Sequence, residues 1–195
     1  GCFDEQRDTT SSEGGERISL AMLQPPRSGL SPLSDDAFKL SRWSMAETLI
    51  RLDANSDPQP FLATEWEQLD AHTWRFVIRD GVVFHDGSEL TANDVVNSLT
   101  AATQAAPKPR ILDGVNMTIE ADGDNAVIVR TEREDPLIPN RLSSPQLAIL
   151  AAKAYGDDGR VNPIEAGTGP FVLKEINGTT SARLDRFDGY WGEPA

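Results

Sequence analysis

His85-Asp86 is the pair in this chain best equipped for chemistry, since an imidazole beside a carboxylate can move a proton or hold a metal. The 195 residues contain two histidines, the other being His72, and one cysteine, Cys2. Two histidines without a cysteine cluster are a poor ligand set, and a single cysteine excludes an internal disulfide. Gly167-Thr168-Gly169 lacks the Lys-Ser/Thr of a P-loop and the third glycine of a dinucleotide fingerprint. Ser143 and Ser144 stand outside any G-x-S-x-G frame. Asn116-Met117-Thr118 and Asn177-Gly178-Thr179 match a glycosylation acceptor pattern and nothing more. No set of nucleophile, base and oxyanion donors emerges. The expectation is therefore a non-enzyme with no catalytic residues, no cofactor and no metal ligands.

The elements that must position these residues are legible locally. Trp74 to Arg79 alternates large apolar with mostly polar side chains, the period-2 pattern of a half-buried strand. Asp80-Gly81 is a tight-turn dipeptide, Val82-Val83-Phe84 resumes strand propensity, and Asp86-Gly87 breaks it again. Thr91 precedes Asp94 by three residues, a capping-box spacing that opens a helix with Val95, Val96 and Leu99. Elsewhere, Arg17–Met22 reads as the first strand, with Ile18, Leu20 and Met22 on one face. A helix is expected from Ser34 or Asp35 to about Ile50, with Phe38, Ser41, Met45 and Leu49 near one face. Hairpins are expected from Met117–Ala121 to Ala126–Arg130 and from Phe171–Ile176 to Ala182–Phe187. Between them, Pro136–Leu142 suits a short helix, Leu147–Leu150 a short strand and Ala151–Tyr155 a helical turn. This mixture of strands, hairpins and helices predicts a mixed α/β class.

The length suits one domain able to bury roughly two-thirds of its unfolded surface. Acidic residues outnumber basic ones by 31 to 18, giving a formal net charge of −13, which argues against nucleic acid or an anionic membrane surface as a direct partner. No apolar run approaches the ~18 residues of a membrane span.

The segment Thr73–Leu99 also carries an identifiable pattern. Through Trp74, Phe76, Arg79, Gly81, Val82, Phe84, His85, Asp86, Gly87, Ala92, Asp94, Val95 and Ser98 it resembles W-x-F-x-L-R-x-G-V-x-F-H-D-G-x-x-x-x-A-x-D-V-x-x-S, with Ile78 where Leu is frequent. That pattern belongs to the large solute-binding proteins of peptide and nickel ABC importers, the bacterial extracellular solute-binding family 5. Three further pieces follow in the family's order: Pro60 to Glu67 resembles P-x-L-A-x-x-W, Gly167 to Phe171 resembles G-T-G-P-[YF], and Tyr190-Trp191-Gly192 resembles the family's Y-W-G.

The resemblance spans roughly Arg17 to the C-terminus and implies the first-lobe part of a type II (cluster C) periplasmic-binding-protein-like fold. Residues 17–195 would form that lobe portion, with 53–165 approximately a subdomain insertion. It implies binding without catalysis: two lobes enclose a peptide, which is delivered to ABC permease subunits in the membrane. A nickel chelate or other small solute is the alternative, as is ligand sensing without transport. F-H-D-G would be a turn feature, and the G-T-G segment a crossing near the cleft.

In such proteins the loop and early helix after the first strand line the cleft. Here that places Asp35, Asp36 and Phe38 first as ligand-binding candidates, with Trp43 and Gln24 next. Carboxylates would accept from a ligand amine and aromatic faces would cover its apolar parts. Ser31 stands where the family usually has Asp, and Ala46-Glu47 where Tyr-Glu is frequent. Around the expected nickel pocket, Leu142 to Leu147 holds no Arg, Pro109 falls near the usual Trp, and Arg110 is shifted. Nickel therefore ranks behind peptide.

Residues 1–16 are rich in Asp, Glu, Thr, Ser and Gly, too poor in apolar area to fold, and read as a disordered tether. With the resemblance, Cys2 becomes a lipidation candidate, and the location is extracytoplasmic, cell-surface or periplasmic. The membrane would be touched only through that anchor.

Overall fold

Strand-forming alternation and turn chemistry produce most of the architecture. The computed structural model describes residues 10–12, 15–21, 33, 36–177 and 181–193, the first two stretches as backbone only. In chain order the elements are β1 (Thr10–Ser12), β2 (Gly15–Ala21), α1 (Ala37–Arg42), β3 (Ile50–Leu52), β4 (Pro58–Pro60), β5 (Ala63–Asp70) and β6 (Thr73–Ile78). They continue with α2 (Ala92–Gln104), β7 (Met117–Ala121), β8 (Ala126–Thr131), α3 (Ile138–Arg141), β9 (Phe171–Asn177) and β10 (Ser181–Arg186). One antiparallel sheet has the order β1-β2-β10-β9, a second β5-β6-β8-β7, and β3-β4 is a separate hairpin. The class is mixed α/β with antiparallel sheets and flanking helices.

In the β5-β6-β8-β7 sheet, alternation decides the faces. Phe76 pairs with Trp66 and Val127, and Trp74 with Val129, so these side chains share one face; Trp66 and Trp74 each stack on Phe76, which is fully buried. The other face carries Glu67, Arg75 and Arg130, and Arg75 reaches Asp122 at 2.9 Å. Helix α2 packs against β7 and β8. Its buried residues Ala92, Val95, Ser98, Leu99 and Ala102 follow helical spacing. The polar member of that stripe is paired: Ser98 Oγ donates to the Leu150 carbonyl (3.2 Å) and accepts the Leu150 N–H (3.1 Å). The helix starts where the capping-box spacing placed it, with the Thr91 N–H donating to Asp94 Oδ2 at 2.8 Å.

Both expected hairpins form, β7 with β8 and β9 with β10. Several expectations change. The helix expected to run to Ile50 is only α1, and Ser44 turns the chain with φ 52°. Beyond it the backbone is extended because distant segments take its carbonyls: Phe171 N–H donates to Ser44 O (3.2 Å), Gly169 N–H to Met45 O (3.0 Å) and Ile149 N–H to Glu47 O (2.9 Å). The strand expected over Leu147–Leu150 does not form: Leu147 ends a 3-10 turn, Pro145–Leu147, and Ile149 alone bridges Glu47. Val83 is likewise limited to one bridge, with Glu89. Thr10–Ser12, inside the stretch read as a tether, pairs with β2; the rest of residues 1–14 and Met22 lie outside the described residues.

The crossing between 44–45 and 167–169 requires glycine. A Cβ on Gly169 would sit 2.1 Å from Ser44 O, and one on Gly167 2.1 Å from Met45 O, so neither backbone could keep its place. Gly169→Ala is expected to destabilise the fold by about 3 kcal/mol through this overpacking, read as a lower urea midpoint at unchanged slope.

Candidate functional site

The best-connected polar side chain near a concavity is Glu47. Sequence places it in an apolar run, Met45 to Ile50, and the extended backbone there turns it inward, leaving 3% of its surface exposed. An unpaired buried carboxylate would be very costly, so its oxygens must find donors. Thr168 Oγ1 and Trp191 Nε1 donate to Oε1 at 2.9 and 2.8 Å, and the Tyr190 hydroxyl donates to Oε2 at 2.8 Å. Burial still pushes the Glu47 carboxyl above its ordinary value, against the pull of these three bonds and the charge of Arg79. The Tyr190 hydroxyl is pushed well above the usual tyrosine range, by its own burial and then by the neighbouring carboxylate.

Trp191 is held from several sides. The Arg79 guanidinium lies over its ring, 4.4 Å from the centroid, while Arg79 Nε donates to Phe61 O at 2.9 Å. The Phe61 ring meets it edge-on at 5.9 Å, and Tyr190 tilts against it at 5.4 Å. Glu47 and Phe61 also line a cavity of about 40 Å³ between α1 and the 145–148 turn, together with Ser41, Ala46, Thr48 and Ser143. Two wider hollows, of about 420 and 390 Å³, lie along β7 and β8. Of their cations, Lys108 donates to Val115 O, Arg141 to Asp135, and Arg130 is paired with Glu120. They are surface grooves among ion pairs rather than apolar pockets with convergent polar groups.

His85 belongs to the glycine crossing. Its backbone N–H donates to Gly167 O (2.9 Å), and Nε2 lies 2.8 Å from Gly169 O, which can only accept, so Nε2 carries the proton. The Phe187 ring packs against the imidazole edge at 4.7 Å, and Nδ1 is buried without a hydrogen-bond partner. Burial lowers the pKa to about 4, against the pull of the Gly169 bond. The His85-Asp86 pair does not act as a unit, because Asp86 turns to Ser88. Among the described residues no group of three or more His, Cys, Asp or Glu is arranged to hold a metal.

Of the residues singled out from sequence, Cys2, Gln24 and Asp35 lie outside the described residues. Asp36 is buried at the N-cap of α1, 3.7 Å from Lys39 Nζ. Phe38 is 47% exposed on α1, and Trp43 is half-buried against the core. None of these three lines the small cavity; α1 contributes Ala37 and Ser41 to it instead. Sequence reasoning missed the cluster of Glu47, Arg79, Tyr190 and Trp191. The available signal was one acid inside an apolar run, a pattern that requires a buried partner.

A family model described as "Bacterial extracellular solute-binding proteins, family 5 Middle" matches residues 57–195. The chain is 32% identical over 161 residues to the dipeptide-binding protein of Escherichia coli K12, covering 68% of this chain and 30% of that protein. It is 30% identical over 141 residues to the HTH-type transcriptional regulator SgrR of Yersinia enterocolitica, covering 72% of this chain and 24% of that protein. The crystal structure of a nickel ABC transporter from Bacillus halodurans superposes with a TM-score of 0.72 at 27% identity, over 87% of this chain and 34% of that one. The architecture is thus that of a type II periplasmic-binding-protein-like fold, and the chain spans about a quarter to a third of the length of these relatives.

The buried imidazole makes a pH prediction. Its folded pKa lies below the ordinary 6.5, so between those values the unfolded chain binds more protons. Its contribution is complete above pH 6.5 and falls as pH drops toward 4, by on the order of 3 kcal/mol. Glu47, with its raised carboxyl, works in the opposite sense, so the histidine's share is read as the difference between wild type and His85→Gln across that range. Nitrogen-detected NMR should show a neutral, Nε2-protonated ring at pH 7; a ring titrating near pH 6.5 contradicts the assignment.

Proposed function

Because this chain belongs to the bacterial extracellular solute-binding proteins of family 5, which bind solutes rather than catalyse, we propose that it is the first-lobe part of a protein delivering peptides to an ABC importer. The observation that carries this reading is the small cavity beside Glu47. Apolar walls at Ala46, Phe61 and Ala148, with hydroxyls at Ser41, Thr48 and Ser143, are the makings of a small-molecule site. At about 40 Å³ it is several-fold too small for a ligand pocket, which commonly needs ~300 Å³ or more. It is one wall of a site, and a second lobe closing over it supplies the other.

In this reading residues 17–195 are the lobe portion, with 53–165 inserted, and the chain ahead of β1 tethers the protein outside the cytoplasm through a lipid on Cys2. Gln24, Asp35, Asp36, Phe38 and Trp43 are the ligand-binding candidates in this reading. A nickel chelate is the runner-up cargo, favoured by the likeness to the Bacillus halodurans structure. Ligand sensing without transport is the second functional class, favoured by the similarity to a transcriptional regulator.

Calorimetry separates these readings. The 195-residue chain alone should bind dipeptides and tripeptides no more tightly than about 1 mM, because half of the contact surface is missing. The natural-length protein should bind them at least a hundredfold more tightly, roughly a 3 kcal/mol gain. Tight stoichiometric binding by the short chain rules out the half-site reading. Mass spectrometry of solute co-purified with the natural-length protein distinguishes peptide from nickel chelate.

A further inference from the structure

The cluster around Glu47 joins segments far apart in sequence. Thr168 comes from the glycine crossing, Arg79 from the end of β6, Phe61 from the loop before β5, and Tyr190 and Trp191 from the stretch after β10. Trp191 and Tyr190 are only partly buried, so the hydrophobic core alone does not determine their place. Among the described residues, the indole N–H bond is the directional contact of the Trp191 side chain: edge contacts and cation–π contacts tolerate sliding, whereas a 2.8 Å bond to a buried, immobile oxygen does not. Tyr190 adds a second fixed point on the other carboxylate oxygen, 2.8 Å from its hydroxyl. Two adjacent side chains bound to two oxygens of one carboxylate define both the position and the rotation of the backbone between them.

We propose that Glu47 is a positioning residue that fixes the direction in which the chain leaves the lobe after Trp191. Its carboxylate is the reference point for the Tyr190-Trp191 segment, and so sets the geometry with which whatever follows closes over the ligand. The last consequence rests on the two-lobed reading above; the anchoring itself does not. Glu47 also lines the cavity with Phe61, so the wall of the proposed half-site and the exit of the chain share one rigid group.

Gln and Leu at position 47 separate hydrogen bonding from mere filling of space. A Gln oxygen can accept from Trp191 and Thr168, and its amide can donate to the Tyr190 oxygen once that hydroxyl rotates. Leu fills the space and offers no acceptor, leaving the indole N–H unpaired. The experiment measures the distance distribution between spin labels at the exposed positions Glu67→Cys and Glu193→Cys, in the natural-length protein with Cys2→Ser, by pulsed dipolar spectroscopy. Wild type and Glu47→Gln should give narrow distributions, and Glu47→Leu one about twofold broader. Trp191→Phe keeps an aromatic ring, loses the donor, sits at a half-exposed site and should broaden the distribution likewise. Thermal melts run in parallel. A merely structural role would lower the Glu47→Leu midpoint while leaving the width of the remaining folded protein unchanged, and that result overturns the proposal. A Glu47→Gln distribution as broad as that of Glu47→Leu overturns it as well, since Gln can keep the bonds. Failure of the peptide-binding reading would appear in calorimetry and would leave these widths interpretable.

Discussion

The close approach of two backbones at Ser44-Met45 and Gly167-Gly169 is the constraint on which the rest of this fold depends. With no Cβ on either glycine, the strands lie near enough for Gly169 N–H to reach Met45 O and Phe171 N–H to reach Ser44 O. That contact stops α1, stretches the residues after it and aims Glu47 inward. The same glycine carbonyls receive the His85 backbone N–H and imidazole, so the turn after β6 docks on the crossing as well. Three stretches that are remote in sequence are located relative to one another by a few hydrogen bonds around two missing side chains.

Glu47 shows what such a junction can hold. A carboxylate buried this deeply is a weak source of stability, because desolvation opposes what its bonds contribute. Its neighbours are mainly neutral donors, with Arg79 stacked on Trp191 rather than bonded to the acid. An apolar residue would fill the space at less electrostatic cost but would hold Tyr190 and Trp191 only by packing. The acid therefore exchanges stability for a defined geometry.

How much of this could be read from the residues follows from how local each cause is. The β7-β8 hairpin was legible because Asp122 to Asn125 is a turn by its own chemistry and the flanking residues alternate. Helix α2 was legible from Thr91, Asp94 and the spacing of Val95 and Leu99. The length of α1 was misread because Phe38, Ser41, Met45 and Leu49 mimic a helical stripe. Met45 and Leu49 are indeed buried, but from extended backbone whose partners, Gly169 and Ile149, lie far along the chain. The Glu47 cluster was illegible for the same reason: an acid at one end meets an indole at the other only after the crossing has formed. The family motifs were readable as patterns, yet the contact between F-H-D-G and G-T-G that explains them appears only in three dimensions.

The pairing of β2 with β10 carries a consequence for the birth of the molecule. β2 hydrogen-bonds to a strand made long after it, with the whole β5-β6-β8-β7 sheet synthesised between them. A ribosome adds on the order of ten residues per second, so β2 waits many seconds for its partner, while the inner sheet can close its shorter loops as soon as β8 emerges. During that interval β2 presents an open edge. The outer sheet therefore closes after the inner one, and these residues stay unlocked until the hairpin of β9 and β10 has been made.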